Sequence, residues 1–245
     1  MVMPQGATAN HQLMGYDRSS TMFSPDGRLL QVEYAKKAVK QGTPSLGMVC
    51  KDGVFLLADR RILEKLMVGS SIEKVFQVDD HIAASATGFL MDGRVLIERA
   101  QLMAQQNRVT YDSPVDVLGL VKDIANFKQF FTQYGGARPF GVNILFAGVD
   151  DYGPQLYLTD VTGIYFQFKA TVIGENDIQI KEILDKEYSD SMNIDEGLKL
   201  AFSAFKRVFG KDFDVERLDG AYININDRKF KRIEREHLKK IGKKV

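Results

Sequence analysis

The first 45 residues combine a polar segment, a tight turn and an amphipathic helix. Residues 28–41 contain no proline or glycine, and the apolar residues Leu29, Val32, Ala35 and Val39 recur at the spacing of one helical face. Before them, residues 24–27 read Ser-Pro-Asp-Gly, in which the proline presets the backbone of the second turn position and the glycine tolerates the exit. The pattern therefore predicts a reverse turn followed by a helix that Gly42 ends.

Short apolar runs separated by turn residues predict hairpins around two long helices. Residues 46–50 and 54–58 flank an Asp-Gly turn, and residues 74–78 and 81–85 flank a pair of aspartates. Helical periodicity then extends to about residue 107, and the next helix is expected to begin with Ser113 as its cap and Pro114 in its first turn. Further strands are predicted at 142–149, 155–159, 164–168, 170–173 and 220–225, and helices at 177–188 and 195–209.

The basic C-terminal stretch, residues 228–245, is predicted to be a helix docked on the domain. Phe230, Ile233, His237 and Ile241 keep helical spacing, and glutamates interrupt the positive charge. This pattern favours a solvated basic face over nucleic-acid binding.

Helices thus come in pairs between runs of hairpin-linked strands. This order argues against a parallel βαβ sheet and favours two packed antiparallel sheets with helices outside them. The predicted fold class is α+β, a four-layer αββα sandwich, in one domain over residues 16–245. Residues 1–15 are polar and rich in small side chains, and we expect a flexible tail there.

Composition narrows the function classes. The chain has 245 residues, 44% of them hydrophobic, and a net charge of +1, which gives no argument for nucleic acid or an anionic membrane as partner. The lone cysteine, Cys50, excludes an internal disulfide and fits a reducing cytoplasm. No apolar run is long enough to span a bilayer, and the N-terminus lacks the pattern of a secretory signal.

Motifs for common cofactors and metals are not found in the sequence. The three histidines, His11, His81 and His237, have no cysteine or carboxylate at metal-ligand spacing. The chain also lacks a G-x-G-x-x-G or P-loop pattern, so neither a nucleotide, a cofactor nor a metal is expected.

The N-terminal motif residues resemble the signature of proteasome alpha subunits of the archaeal type. They are Tyr16-Asp17-Arg18, then Phe23-Ser24-Pro25-Asp26-Gly27-Arg28, then Gln31-Val32-Glu33-Tyr34-Ala35. The resemblance extends from about Gly15 to the C-terminus, and the sandwich of the proteasome and N-terminal nucleophile hydrolase families matches the predicted order of elements. It implies a protein without catalytic residues, in a seven-membered ring of identical chains stacked on beta subunits that hydrolyse peptides.

The resemblance also implies roles for particular residues. Residues 1–15 with the gate residues Tyr16, Asp17, Arg18, Pro25 and Tyr34 would control an axial pore for unfolded polypeptides. Lys74, which follows Ile-Glu, would receive the C-terminal carboxylate of an activator such as an AAA ATPase, with Gly42, Leu29 and Glu33 nearby. Tyr134, Gly135 and Gly136 would line the constriction of the channel.

Two alternatives stay open at this point. In the first, the chain is a self-processing threonine hydrolase, because Gly42-Thr43, Asp59 and Lys74 fall near the catalytic positions of proteasome beta subunits. Pro44 after Thr43 argues against it, as does the loss of the whole N-terminal signature that processing would cause. In the second, an alpha-like ring assembles alone as a chaperone-like or storage particle.

Overall fold

The computed structural model describes residues 14–61, 66, 72–210 and 213–242. Within these ranges ten strands form two five-stranded antiparallel sheets. The strands are β1 Ser45–Cys50, β2 Gly53–Asp59, β3 Val75–Asp79, β4 Ile82–Gly88, β5 Val142–Asp150, β6 Gly153–Thr159, β7 Tyr165–Gln167, β8 Ala170–Ile173, β9 Leu218–Asn224 and β10 Phe230–Arg232. The helices are α1 Leu30–Gln41, α2 Leu90–Tyr111, α3 Val117–Gln133, α4 Asp177–Glu187, α5 Ile194–Phe209 and α6 Arg235–Gly242, with a 3₁₀ turn at Val215–Arg217.

The two sheets pack face to face, with helices on their outer sides. The first has the order β10-β9-β2-β1-β8 and is covered by α4, α5 and α6, while the second has the order β3-β4-β5-β6-β7 and is covered by α2 and α3. Strand β2 shows how the sequence builds this arrangement: Phe55 and Leu57 face the helices, and Leu56 faces the other sheet. The predicted four-layer α+β sandwich is confirmed.

Helix α1 lies across one end of the sandwich. It contacts β4 and β5, and its apolar stripe of Val32, Ala35 and Val39 packs on Val161. The residue that ends it, Gly42, lies so close to β4 that a Cβ atom there would be 2.7 Å from the backbone nitrogen of Gly88. The stop that the sequence predicts at Gly42 is therefore also a point of close approach that leaves no room for a side chain.

Two predicted elements differ from the structure. Helix α3 begins at Val117 rather than near Ser113, because the Asp116 carboxylate accepts a hydrogen bond from the backbone nitrogen of Gly119 at 2.7 Å and caps the first turn. The predicted helix over 228–245 is wrong in its first part. Residues Phe230–Arg232 form strand β10, which pairs with the open edge of β9, and the helix starts at Arg235.

Candidate functional site

The residues around Pro25 form a closed turn at the entrance to α1. The backbone nitrogen of Gly27 donates to the carbonyl of Ser24 at 2.8 Å, and the backbone nitrogen of Ser24 donates to the carbonyl of Arg28 at 2.8 Å. The Ser24 hydroxyl accepts a further bond from the Arg28 nitrogen, and Gly27 has a φ of +72°. Glycine is favoured there because other residues rarely adopt that backbone conformation, while Pro25 is exposed at the tip.

The segment before the turn is fastened to α1 through Asp17. The Tyr34 hydroxyl donates to the Asp17 carboxylate at 3.2 Å, and the Gln31 side chain donates to the Asp17 carbonyl at 2.5 Å. Tyr16 is half-buried, and Arg18 is exposed. The structure thus joins two of the predicted gate residues, Asp17 and Tyr34, directly. The predicted tail lies outside the described residues, apart from positions 14 and 15.

Lys74 is buried at the entrance to β3, with 4% of its surface exposed. Its ammonium Nζ donates to the carbonyl of Ala86 in β4 at 2.8 Å, and its backbone nitrogen donates to the Asp219 carboxylate at 3.0 Å. Burial lowers the pKa of Lys74 to about 8, although the negative charge of Asp59 acts in the opposite direction. Lys74 is therefore an ammonium that has lost most of its water and donates to a backbone carbonyl.

The other residues predicted for the activator pocket lie at the two ends of α1. Gly42 packs against Thr87 and Gly88, the residues that follow the Ala86 acceptor of Lys74. Leu29 precedes the first turn of α1 and joins its apolar cluster, and Glu33 forms an ion pair with Arg28 at 2.8 Å. Since α1 has 12 residues and Leu29 and Gly42 flank it, these two residues are about 20 Å apart along the helix. Lys74 and Gly42 thus share one end of β4, and Leu29 and Glu33 belong to the other end of the helix.

The residues of the hydrolase alternative form hydrogen bonds and an ion pair within the fold. Thr43 lies in the chain between α1 and β1, and its carbonyl accepts a hydrogen bond from the Thr87 hydroxyl at 3.1 Å. The carboxylate of Asp59 forms an ion pair with Arg217, whose Nε donates to it at 3.0 Å. The preceding carbonyl of Gly42 accepts from the backbone nitrogen of Glu175 at 2.8 Å. These contacts make the Gly42–Thr43 linkage part of the framework that holds α1 in place.

The loop after α3 contains the predicted constriction. Tyr134, Gly135 and Gly136 are exposed, and Gly136 has a φ of +88°. A Cβ atom at either glycine would meet nothing within 4 Å, so the tip projects away from the domain. The Tyr134 ring stacks on the exposed ring of Phe130, with centroids 5.3 Å apart. A cavity of about 320 Å³ is lined by residues of both this loop and the gate segment, among them Gly136 and Arg18.

Two polar features near this loop were not predicted as site residues. Arg138 forms a bidentate ion pair with Asp92 of α2. The two residues are 46 positions apart in the sequence, so no local pattern indicates that they pair. Lys128 is fully buried inside α3, where its ammonium donates to the carbonyls of Val142 and Thr159 and to the Thr159 hydroxyl at 3.0–3.2 Å. A signal for Lys128 existed, since it occupies a position on the apolar stripe of its helix.

The structure gives no sign of a metal centre or a membrane span in the residues that it covers. No group of three or more His, Cys, Asp or Glu side chains in these ranges has a geometry that could hold a metal ion. None of the described helices combines the length and the apolar character that crossing a bilayer requires.

Comparison with known proteins agrees with the fold and the N-terminal motif. Residues 39–222 match the family described as proteasome subunit, and residues 16–38 match the N-terminal signature of A-type proteasome subunits. The proteasome alpha subunit of Archaeoglobus fulgidus is 47% identical over 226 residues, which cover 92% of each chain. That of Methanocaldococcus jannaschii is 48% identical over 230 residues, 94% of this chain and 88% of the relative. That of Methanosarcina barkeri is 46% identical over 220 residues, 90% of this chain and 88% of the relative. The chain therefore belongs to the proteasome subunit family and carries the signature of its alpha type.

Proposed function

We propose that this chain forms the gated entrance of a 20S proteasome core and the surface on which an activator docks. As an alpha-type subunit it belongs to the noncatalytic ring, and peptide hydrolysis resides in the beta subunits. The proposed particle contains seven copies of this chain in a ring, works in the cytoplasm, and admits unfolded polypeptide when an AAA ATPase or a similar activator opens it.

The observation that carries the proposal is the position of α1 between two groups of residues. The N-terminal end of the helix holds the Pro25 turn, and its Tyr34 binds Asp17 of the gate segment. The C-terminal end, Gly42, is packed against β4 beside the acceptor of the Lys74 ammonium. A ligand at either end of the helix would therefore meet a rigid element that also contacts the gate segment.

Lys74 suits a carboxylate ligand because its ammonium has already been removed from water. A carboxylate would be a second hydrogen-bond acceptor for the ammonium, and its negative charge would offset the cost of burying the Lys74 charge. A hydrogen bond to a charged group contributes about 1.5–3 kcal/mol. The resemblance to proteasome alpha subunits implies that this lysine lies in a pocket between neighbouring subunits and that the activator tail ends in three recognised residues. Such a tail spans roughly 10 Å when extended, which is less than the length of α1 and is consistent with a pocket to which two subunits contribute.

Opening the gate then becomes a shift between two populations. Ligands that bind the open state more tightly move the equilibrium by the sum of their differential binding energies. Several tails on one activator act together because each bound tail raises the local concentration of the next. Contacts of about 1–2 kcal/mol each would suffice if the closed and open states differ by a few kcal/mol.

A stripe of exposed apolar side chains on α2 supports burial of this helix in an assembly. Met91, Val95, Leu102 and Val109 follow each other at spacings of four, seven and seven residues, so they share one helical face, and each is at least 43% exposed. Polar residues, among them Glu98, lie between these apolar side chains on the same face, but several large exposed apolar side chains on one face are typical of a surface that another protein chain covers. This face of α2 is the region in which we expect a contact with a neighbouring chain of the particle.

The test uses the full-length chain assembled with its catalytic beta subunits. Lys74→Met keeps the length of the side chain and removes its charge. It is expected to abolish the stimulation of protein degradation by an activator while hydrolysis of a short fluorogenic peptide continues. Lys122→Met, at an exposed lysine of α3, is the matched control and should respond to the activator like the wild type. Undiminished stimulation in Lys74→Met would refute the docking proposal.

A further inference from the structure

The loop between α3 and β5, residues 134–141, is free at its tip and fastened at its base. A Cβ atom added to either tip glycine would have no neighbour within 4 Å, whereas Pro139 is buried. The Phe140 ring packs on the Phe131 ring, with centroids 4.7 Å apart. On one side of the tip the Tyr134 ring stacks on Phe130, so on the other side the position of the tip depends on the contacts of the residues between Gly136 and Phe140.

Arg138 is held there by a buried carboxylate. Its two terminal nitrogens donate to the two oxygens of Asp92, each at 2.6 Å, and one of them also donates to the carbonyl of Pro139 at 3.0 Å. The same Asp92 accepts a bond from the backbone nitrogen of Gly141 at 2.8 Å. One carboxylate thus fixes a side chain in the middle of the loop and the backbone at its end.

The energetics of this pair favour a single geometry. Asp92 is only 6% exposed. Burial by itself would raise the pKa of Asp92, but the hydrogen bonds from Arg138 and Gly141 and the charge of Arg138 outweigh it and lower the pKa below its usual value. The carboxylate therefore stays ionised at neutral pH, and a bidentate guanidinium–carboxylate pair restricts both distance and orientation. The guanidinium also lies 5.7 Å from the centre of the Phe89 ring.

We propose that Asp92 and Arg138 are positioning residues that fix the constriction loop and so set the largest polypeptide cross-section that the ring admits. This inference rests on the proposed function, because it assumes that residues 134–136 line the channel. In this proposal the pair acts on the loop rather than on the substrate. It acts by preventing the tips of the loops from moving apart, so its loss should relax the size limit rather than block entry.

The first experiment measures the order of the loop in the assembled particle. A spin label on Gly135→Cys reports the tip, and the native Cys50 is buried and 3% exposed, so it should remain unlabelled. Arg138→Ala is expected to raise label mobility and to broaden the distances between labels by roughly twofold or more. Arg138→Lys keeps the charge without the two-pronged geometry and should give an intermediate result. Unchanged mobility and distances in Arg138→Ala would overturn the inference.

The second experiment measures size selection. Particles are given a linear unfolded polypeptide and the same polypeptide closed into a hairpin by a disulfide, together with a short peptide as reference. Arg138→Ala is expected to raise the hairpin-to-linear ratio severalfold with the short-peptide rate unchanged. Arg228→Ala removes an exposed ion pair elsewhere in the chain, Arg228 with Asp151, and should leave the ratio at the wild-type value. An unchanged ratio in Arg138→Ala, despite a mobile loop, would also overturn the inference.

One further variant separates this inference from the proposed function. Gly135→Trp places a large side chain where the structure has open space, and it should slow entry of the linear polypeptide if the loop lines the channel. If Gly135→Trp slows entry and Arg138→Ala leaves size selection unchanged, the channel role stands and the positioning role fails. If neither variant changes entry of any substrate, the proposed constriction itself fails and the positioning role fails with it.

Discussion

The buried ammonium of Lys128 should make the stability of this chain rise with pH. Lys128 is fully buried in α3, and its three hydrogen-bond acceptors, all in β5 and β6, are uncharged. Burial lowers its pKa from 10.5 to about 7, with a smaller opposing effect from the charge of Asp160. A charged amine at this position therefore costs the folded state free energy that the unfolded state does not lose.

The sign and size of this change in the free energy of unfolding follow from proton linkage. Between pH 7 and 10.5 the unfolded chain binds one proton at Lys128 that the folded chain has released, so raising the pH stabilises the fold. The penalty is fully present below pH 7 and is gone above pH 10.5. Each pKa unit corresponds to about 1.4 kcal/mol, so the whole effect is on the order of 5 kcal/mol. From pH 7 to pH 9 the expected gain is roughly 2–3 kcal/mol.

The assay compares wild type with Lys128→Met, which is similar in volume and cannot be charged. Thermal unfolding is followed at pH 7, 8 and 9 at one fixed protein concentration, because assembly also shifts the melting temperature. The acceptors that lose their donor in the variant change its stability by an amount independent of pH, and other titrating groups cancel in the difference. The wild-type melting temperature should therefore rise relative to the variant by roughly 4–10 °C from pH 7 to pH 9.

A difference between the two proteins that does not change with pH would refute this reasoning. It would mean that Lys128 keeps an ordinary pKa in the fold, and that the carbonyls of Val142 and Thr159 compensate the burial of its charge completely. A difference that falls with pH would give the folded state the higher proton affinity, which contradicts burial as the dominant cause.

Two further predictions concern the thiol and the end of α1. Burial, followed by the charges of Asp52 and Glu196, raises the pKa of Cys50 to about 12, so the native thiol should react with a disulfide reagent at pH 8 more than about 100-fold slower than in the unfolded chain. Complete labelling within minutes, without unfolding, would contradict this. Gly42→Ala places a methyl group 2.7 Å from the backbone of β4 and should destabilise the chain by about 1–3 kcal/mol. Gly135→Ala, in open space, is the control, and equal denaturant midpoints for the two variants would argue against the close packing of α1.

Much of the fold was predictable because its signals are local. Apolar alternation located nearly every strand, and helical periodicity located α1 and α2. The predictions were wrong where tertiary contacts decide where a helix begins or whether a segment forms a strand. Asp116 rather than Ser113 caps α3, and Phe230–Arg232 became a strand because β9 offers an edge that needs hydrogen-bond partners. Residues with helical spacing can be recruited into a sheet when the sheet leaves such an edge open.

The properties of the candidate site also fall into two groups, those that the sequence determines and those that only the tertiary structure decides. The sequence alone determined the family through its N-terminal motif, and it determined the Ser24–Gly27 turn, because proline and glycine restrict the backbone locally. The tertiary structure alone decided that Lys74 and Lys128 are buried and that Arg138 binds Asp92. These properties depend on which distant strands and helices surround a charge. A lysine has the same sequence letter in water and in a core, but only the packed fold removes its water and shifts its pKa.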